Sequence, residues 1–212
     1  MTNTTYINDF KEIITGRRSI RSYDPSVKIS KEEMEEILTE ATLAPSSVNM
    51  QPWRFLVIES EEAKATLAPL ARFNQPQVET SSAMIAVFGD LNNFDYGEEI
   101  YSKAVEMGFM PQDVKENMMN SLTAHFSSLA PEANKETVLI DGGLVSMQLM
   151  LAARAHGYDT CPIGGYEKDK IAEAFGLDKD RFVPVMLISI GKAAGTGYQS
   201  VRLPLEKVAQ WK

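Results

Sequence analysis

Residues 138–157 read VLIDGGLVSMQLMLAARAHG and make up the most apolar stretch of the chain. The run is broken by Asp141, by two glycines and by two further polar residues. It is therefore too polar for a membrane-spanning helix, which needs about 20 mostly apolar residues. A helix that is apolar nearly all round is covered on several sides, and Gly157 is a typical helix stop. Residues 138–156 predict a buried central helix, around which the rest of the core packs.

The flanking sequence predicts the other elements of the fold. Apolar residues at three- and four-residue spacing predict helices over 6–16, 30–44, 61–73 and 168–175. Short runs of branched and aromatic residues predict buried strands over 53–58, 84–88 and 182–190, the first of them buried on both faces. Helices outnumber strands and do not alternate strictly with them, which favours a mixed α+β sandwich over a doubly wound fold.

Two regions lack a regular pattern. Between residues 91 and 136, aromatic and methionine residues are scattered among charges and prolines, which predicts helices in a mobile excursion. Residues 201–212 form a tail that carries Trp211. A large aromatic side chain is costly to leave exposed, so we expect the tail to pack on another surface, such as that of a second subunit. Residues 1–212 contain no low-complexity linker, and their length fits one domain.

The composition excludes several classes of protein. With 44% hydrophobic and 24% charged residues in 212, the chain falls in the usual range of soluble globular proteins rather than disordered ones. A net charge of -8 argues against a general nucleic-acid or acidic-membrane surface, so any anion site must be local. One cysteine, Cys161, and two histidines offer no internal disulfide and no good zinc site, which fits a reducing, cytoplasmic setting. Residues 1–10 lack the basic start and apolar core of a secretory signal.

A local anion site is predicted just after the first helix, in residues 17–21, which we call the arginine segment. Arg17, Arg18, Ser19 and Arg21 place three guanidinium groups and a hydroxyl within five residues of an acidic protein. Guanidinium groups bind phosphate through two parallel hydrogen bonds, and a serine adds a donor to the same oxygens. The alternative is a solvated charged face, because short charge runs are common.

Two further segments carry the groups of a ligand site. Residues 45–52, the polar loop, contain hydroxyl and carboxamide side chains that both donate and accept hydrogen bonds. The loop suits the edge of a flat heterocycle, or it is an ordinary turn rich in serine and asparagine. Residues 162–165, the glycine turn, end in two glycines whose backbone N–H groups no side chain covers. Such a pair permits close approach to a ligand, or it makes a simple tight turn.

The usual motifs for phosphate-loop, dinucleotide, serine-hydrolase and zinc-protease chemistry do not occur in the sequence, and there is no pair of cysteines. What remains is an anion site, a carboxamide loop and a glycine turn. Together they describe a pocket for a phosphorylated planar cofactor.

These motifs, in order along nearly the whole chain, resemble those of the nitroreductase family of flavin enzymes. RRSIR at 17–21 resembles the family's N-terminal flavin-phosphate motif, and APSSVNMQPW at 44–53 is similar to its most specific signature. Asn74 stands where family members carry a flavin-binding asparagine. PIGG at 162–165 resembles the turn beside the flavin ring, and Arg202 resembles the C-terminal phosphate ligand.

The resemblance implies FMN held without a covalent link at the interface of an intertwined homodimer. It also implies a mixed α/β sandwich with a central, mainly antiparallel sheet flanked by helices. The residues implied in holding the phosphate are Arg17, Ser19 and Arg202. Those implied in holding ribityl or ring oxygens are Arg18 and Arg21.

The resemblance assigns the flavin ring to three other segments. The polar-loop residues implied in cofactor binding, from the partner chain, are Pro45, Ser46, Ser47, Asn49 and Gln51. Asn74 is expected at the pyrimidine edge. The glycine turn is expected to offer backbone N–H groups to the flavin N5 and O4, where negative charge gathers on reduction. The residues of that turn are Pro162, Ile163, Gly164 and Gly165. No catalytic side chain and no metal are implied, because FMN carries the chemistry.

The implied activity is transfer of two electrons from NAD(P)H to a nitroaromatic or a quinone in a ping-pong mechanism, with no nucleic-acid or membrane partner. Two alternatives remain open: a flavin-binding carrier or regulator with little turnover, and a relative with a dedicated aromatic substrate. Some relatives have glutamate where this chain has Gly164, which leaves the environment of the flavin N5 open. Some have lysine where this chain has Ser200, so this chain has one positive charge fewer near the phosphate. In the family, the region that corresponds to residues 91–136 helps to cover the substrate side.

Overall fold

A four-stranded antiparallel sheet lies at the centre of the fold. The computed structural model describes residues 6–212. Residues 1–5, which belong to the segment 1–10 that lacks the pattern of a secretory signal, lie outside the described residues. The strands are β1 (Trp53–Ile58), β2 (Ala83–Asp90), β3 (Asp159–Ile163) and β4 (Phe182–Gly191). Their order across the sheet is β1-β2-β4-β3, with every pairing antiparallel, so β1 and β3 are the edge strands.

Within residues 6–212, eight α-helices surround the sheet. They are α1 (Phe10–Gly16), α2 (Lys31–Ala41), α3 (Glu61–Leu67), α4 (Gln75–Thr80), α5 (Gly97–Glu106), α6 (Gln112–Ser128), α7 (Pro131–Ala155) and α8 (Lys168–Ala174). Short 3-10 helices cover Ser47–Asn49, Ala68–Leu70, Arg72–Asn74, Asn93–Tyr96 and Leu205–Lys207. The predicted α+β class with a mainly antiparallel sheet and flanking helices is confirmed.

The two faces of the sheet carry separate hydrophobic cores. Ile85 and Val87 of β2 pack in the core that also contains residues of α2 and α7. Met84 and Phe88 of the same strand pack in the core built with α3, α4 and α8. Successive side chains of a strand point to opposite faces, so both cores draw on β2, and every residue of that strand is buried.

The predicted central helix is α7, which packs against α1, α2 and all four strands. Two glycines let it approach the sheet closely. A methyl group on Gly89 of β2 would lie 2.0 Å from Val138 Cγ1, and one on Gly142 would lie 2.6 Å from Val185 Cγ2. Larger residues at these two positions would push α7 away from β2 and β4.

One face of α7 is not covered by the described chain. Ile140, Leu144 and Met147 are 66%, 44% and 41% exposed, and they follow the spacing of one helix face. The prediction that this run is too polar for a membrane span is wrong by length and composition alone, because α7 is the one helix within residues 6–212 that is long and apolar enough to cross a membrane. Half of its most apolar window is buried inside the fold, as in a core helix.

A buried ion cluster joins β1, β2 and the start of β4. The carboxylate of Asp90 accepts hydrogen bonds from Nε and Nη2 of Arg181 at 2.8 and 2.9 Å, and Nη2 of Arg54 lies 2.9 Å from Asp90 Oδ2. Burial opposes ionisation of Asp90, but the hydrogen bonds from Arg181, with the charge of Arg54, outweigh it and lower the pKa of the carboxyl.

The structure corrects the sequence predictions at several points. The first helix begins at Phe10 and not at residue 6, and the central helix begins at Pro131 and not at residue 138. The middle of β1 is only half buried, because β1 is an edge strand and not a strand buried on both faces. Pro162 and Ile163 lie in β3, which the sequence pattern missed, and not in a turn. An edge strand tolerates a proline, because one side of its backbone is unpaired. The second predicted helix ends at Ala41 instead of 44, and the third ends at Leu67 and continues as 3-10 turns.

Candidate functional site

The arginine segment runs along the free edge of β3. Helix α1 ends at Gly16, and Arg17 leaves the helical conformation with a ψ of 130°. The extended chain then pairs Ser19 with Thr160 of β3, and the amide of Ile20 donates to the Thr160 carbonyl at 3.1 Å. Strand pairing points alternate side chains to opposite sides, so this short bridge fixes the direction in which the arginine segment presents its side chains.

Tyr23 anchors the far end of this segment. Its side chain is 1% exposed, and its hydroxyl donates to the Ile20 carbonyl at 2.8 Å and lies 2.7 Å from the Ser189 hydroxyl. Burial raises the pKa of Tyr23, so the phenol stays protonated and keeps its hydrogen bond. The segment is thus held at both ends by buried groups.

Four arginines come together beside this edge. All the predicted phosphate and ribityl ligands line one open cleft of about 410 Å³, which we call the arginine cleft. The residues that line it are Arg17, Arg18, Ser19, Arg21, Tyr198, Gln199, Ser200 and Arg202. None of them is acidic. Among residues 6–212, no carboxylate forms an ion pair with any of the four guanidinium groups.

Among residues 6–212, these arginines donate only to nearby backbone carbonyls and to the Ser200 hydroxyl, so most of their donor capacity is unused there. Nη1 of Arg18 donates to the carbonyls of Thr15 and Arg17, and Nη1 of Arg202 donates to the Ser200 hydroxyl at 2.6 Å. Nη1 of Arg17 is buried and has no hydrogen-bond partner in the described chain. A buried charged donor without a partner is costly, so the cleft is built to receive an anion.

Asn74 and the glycine turn meet further along β3. The carboxamide Nδ2 of Asn74 donates to the Gly165 carbonyl at 3.1 Å, and its Oδ1 accepts from Gln77 Nε2 at 3.2 Å. Within residues 6–212, the amides of Gly164 and Gly165 make no backbone hydrogen bond outside the sheet. A methyl group built on either glycine meets nothing within 4 Å, so no described residue covers the Cα atoms of the turn.

The polar loop lies on the other side of the molecule, before β1. Its Ser46 hydroxyl accepts from the Gln51 amide at 3.0 Å, and Met50 is buried beneath it against α5 and α6. The side chains of Ser47 and Asn49 are exposed, and Asn49 Oδ1 accepts from Gln51 Nε2 at 3.4 Å within the loop. The loop therefore presents its polar groups outward.

This loop has a strained backbone. Val48, Asn49 and Gln51 have φ values of 42°, 56° and 47°, in the left-handed region. A β-branched residue such as Val48 is a true outlier there, and such strain costs about 1 to 3 kcal/mol per residue. Strained backbone of this kind clusters at functional sites and persists only where the surroundings hold it.

The predicted site residues thus form two groups at opposite edges of the sheet. The arginine cleft, Asn74 and the glycine turn lie along β3, and the polar loop precedes β1. Strands β2 and β4 separate these edges, which puts β1 and β3 about three strand spacings, roughly 14 Å, apart. One chain does not bring the polar loop to the glycine turn.

The structure adds residues that the sequence did not single out. Tyr198 and Gln199 line the arginine cleft beside Ser200, and only their closeness to Arg202 in the sequence could have indicated this. Asp141 and Tyr101 hold the polar loop through contacts across 94 and 53 residues, which no local pattern reveals. Within residues 6–212, no group of three His, Cys, Asp or Glu side chains is placed to hold a metal ion.

The chain is similar to known proteins in sequence and in structure. The model of the nitroreductase family matches residues 14–192. The chain is 72% identical over 205 residues to "Putative NAD(P)H nitroreductase YdgI" of Bacillus subtilis (strain 168), covering 97% of this chain and 98% of that protein. It is 37% identical over 188 residues to the "CLA biosynthesis enone reductase" of Lactiplantibacillus plantarum, covering 88% and 87%. A crystal structure of a "putative nitroreductase" from Exiguobacterium sibiricum 255-15 in complex with FMN superposes with a TM-score of 0.97 at 67% identity, covering 99% of this chain and all of the other.

Proposed function

The chain belongs to the nitroreductase family, and we propose that it is an FMN-dependent oxidoreductase that transfers two electrons from NAD(P)H to a small-molecule acceptor. The strongest support is the arginine cleft, where four guanidinium groups meet without a carboxylate partner in the described chain. Phosphate is the anion that such a set of planar donors binds best.

The described residues fit FMN in three respects. Arg17, with its unpartnered buried Nη1, and Arg202 would hold the phosphate together with Ser19. Arg18 and Arg21 line the same cleft and would reach ribityl or ring oxygens. The carboxamide of Asn74 lies at the glycine turn, where we place the pyrimidine edge of the ring.

When bound, FMN supplies the chemistry of accepting a hydride and passing on two electrons. The chain's part is to bind the cofactor, orient it and stabilise charge. The amides of Gly164 and Gly165 are free donors, and fixed donors stabilise negative charge better than water does, because they need no reorganisation. No acid, base or nucleophile of the chain is required, which fits the absence of catalytic motifs from the sequence.

We propose that the active form is a homodimer in which the polar loop of one subunit completes the site of the other. The two groups of site residues lie at opposite edges of one sheet, so a single chain does not assemble both around one cofactor. The uncovered face of α7 and the tail offer apolar surface for the contact: Val201 is 95% exposed and Trp211 is 83% exposed. Apolar surface on this scale marks an interaction site.

We propose that the acceptor is a quinone or a nitroaromatic and that the mechanism is ping-pong. NAD(P)H would bind first, give its hydride to FMN held in this site and leave as NAD(P)⁺. The acceptor would then bind in the same site and take one hydride equivalent, with one proton from solvent. We also propose a cytoplasmic location, supported by the single, buried, unpaired Cys161.

Anaerobic half-reactions test the proposed enzyme. The purified protein should carry extractable FMN, and NADH or NADPH should bleach its visible absorption rapidly. An added quinone or nitroaromatic should then restore the colour, and initial rates should give parallel double-reciprocal lines. Reduction too slow to support turnover would favour a flavin carrier or regulator. Intersecting lines would refute the ping-pong scheme.

An enone should be included among the acceptors, because one relative is named an enone reductase. Reoxidation by an enone alone, and not by quinones or nitroaromatics, would replace the proposed acceptor class while leaving the flavin assignment intact.

A further inference from the structure

The polar loop is held in its strained conformation from behind by the central helix. The amide N of Ser47 lies 3.0 Å from Oδ2 and 3.2 Å from Oδ1 of Asp141, and donates its hydrogen to this carboxylate. The contact stands immediately before Val48, the β-branched residue with a φ of 42°. It links α7 to the loop at the point where the backbone enters the left-handed region.

Asp141 occupies a costly position for an acidic residue. Its side chain is 4% exposed, and among residues 6–212 no lysine, arginine or histidine lies within ion-pair distance of it. Burial raises the pKa of Asp141, and the hydrogen bond from the Ser47 amide opposes that rise. An apolar residue would pack in the same place without this desolvation cost.

The other contacts of the loop do not duplicate this one. The Tyr101 hydroxyl donates to the Val48 carbonyl at 2.9 Å, and the Ser46 hydroxyl accepts from the Gln51 amide. These two bonds restrain the middle and the end of the loop. Among the described residues, the bond to Asp141 restrains the entry of the loop and ties it to α7, whereas Arg54 and the amide of Asp90 tie the end of the loop to β1 and β2.

We propose that Asp141 is a positioning residue, whose buried carboxylate fixes the entry of the polar loop so that the loop meets the cofactor preformed. This inference rests on the proposed function, in which the polar loop of one subunit completes the flavin site of the other. A loop already fixed in its bound conformation loses less conformational entropy on binding, which raises affinity.

Three substitutions separate the hydrogen bond from packing. Asp141→Leu fills the space without an acceptor, and Asp141→Asn keeps the shape and a carbonyl oxygen that can accept from Ser47. Ser146→Ala is the matched control, because Ser146 is also buried on α7 but donates to the Gly142 carbonyl within its own helix. Each variant is made in the full-length protein.

The first readout is hydrogen exchange of the amides of residues 47–51 in the FMN-free protein. The second is the dissociation constant of FMN, from quenching of its fluorescence. We expect exchange to be at least tenfold faster and FMN binding at least tenfold weaker in Asp141→Leu. Both should stay within about threefold of the parent in Asp141→Asn and in Ser146→Ala.

Parent-like exchange and FMN affinity in Asp141→Leu would overturn the inference. So would a loss in Asp141→Asn as large as in Asp141→Leu, because it would show that the hydrogen bond is not what matters. If the parent protein bound no FMN, the proposed function would fail. The exchange of residues 47–51 would still decide whether Asp141 positions the loop.

Discussion

Replacing Arg17 by alanine should weaken FMN binding by about tenfold to a hundredfold without lowering the stability of the FMN-free protein. Arg17 is partly buried, and its Nη1 has no hydrogen-bond partner in the described chain. In the FMN-free protein the side chain therefore contributes an unpaired charge beside three other arginines. Its removal relieves repulsion there and costs a contact only when phosphate is bound.

The size of the effect follows from the kind of contact. A hydrogen bond between charged groups contributes about 1.5 to 3 kcal/mol, or roughly tenfold to a hundredfold in affinity. At an FMN concentration of about 100 times the parent dissociation constant, binding stabilises the parent by about 2.7 kcal/mol. The variant should lose about 1.3 to 2.3 kcal/mol of this. For a chain of this length, the thermal shift caused by FMN should shrink by about 3 to 9 °C.

Thermal unfolding with and without FMN measures both quantities in one experiment. Lys135→Ala is the control, since it removes one positive charge from an exposed side chain of α7 that forms no ion pair among residues 6–212. The control should keep the parent shift. An Arg17→Ala protein whose shift equals that of the parent would refute the phosphate assignment. A variant destabilised equally with and without FMN would show that Arg17 is structural.

Three further results are expected. Asp90→Asn should lower stability by about 3 kcal/mol, because it leaves two arginines around a buried uncharged group. Because folding lowers the pKa of Asp90, its carboxylate contributes fully to stability above the ordinary pKa of 3.8, and this contribution is lost as the pH falls through the folded pKa. The unfolding free energies of parent and variant should therefore converge on acidification. Truncation after Pro204 should release FMN and lower stability, and a truncated protein that stays a flavin-loaded dimer in light scattering would contradict the role of the tail. Gly165→Pro removes an amide donor and should slow reduction by NAD(P)H about tenfold, or about 1.4 kcal/mol, whereas Gly165→Ala keeps the donor, meets nothing within 4 Å and should reduce like the parent.

Apolar periodicity predicted most of the helices, and continuous runs of branched and aromatic residues predicted the three longer strands. Strand β1 has the predicted bounds, and β2 and β4 extend only slightly beyond theirs. Strand β3 escaped prediction for a physical reason: it is five residues long, contains Pro162 and derives its regularity from pairing with β4. Local propensity cannot reveal a strand that its neighbour stabilises.

The residue patterns alone predicted the site as separate segments, and only the resemblance to the family related these segments to one another. The arginine segment could be read from the sequence because its charges stand close together in an acidic chain. Arg202 joins the same cleft because the chain before it returns to the arginine segment, and this return has no local signal in the sequence. The sequence also does not predict the contact between Asp141 and Ser47, because the pattern around Asp141 shows only a polar residue within an apolar helix.

The destabilising features of the described residues lie where a partner subunit or a cofactor would relieve them. The four arginines repel each other until an anion binds, and the exposed face of α7 and Trp211 remain in water until another surface covers them. Hydrogen bonds from the Ser47 amide to Asp141 and from Tyr101 to the Val48 carbonyl hold the strained backbone at Val48 before any ligand binds. Because each binding event favours the folded state by mass action, the stability of this protein should rise with both FMN and protein concentration. If FMN binds across the subunit contact, the two effects must also reinforce each other, since each ligand then increases the affinity of the other by the same factor.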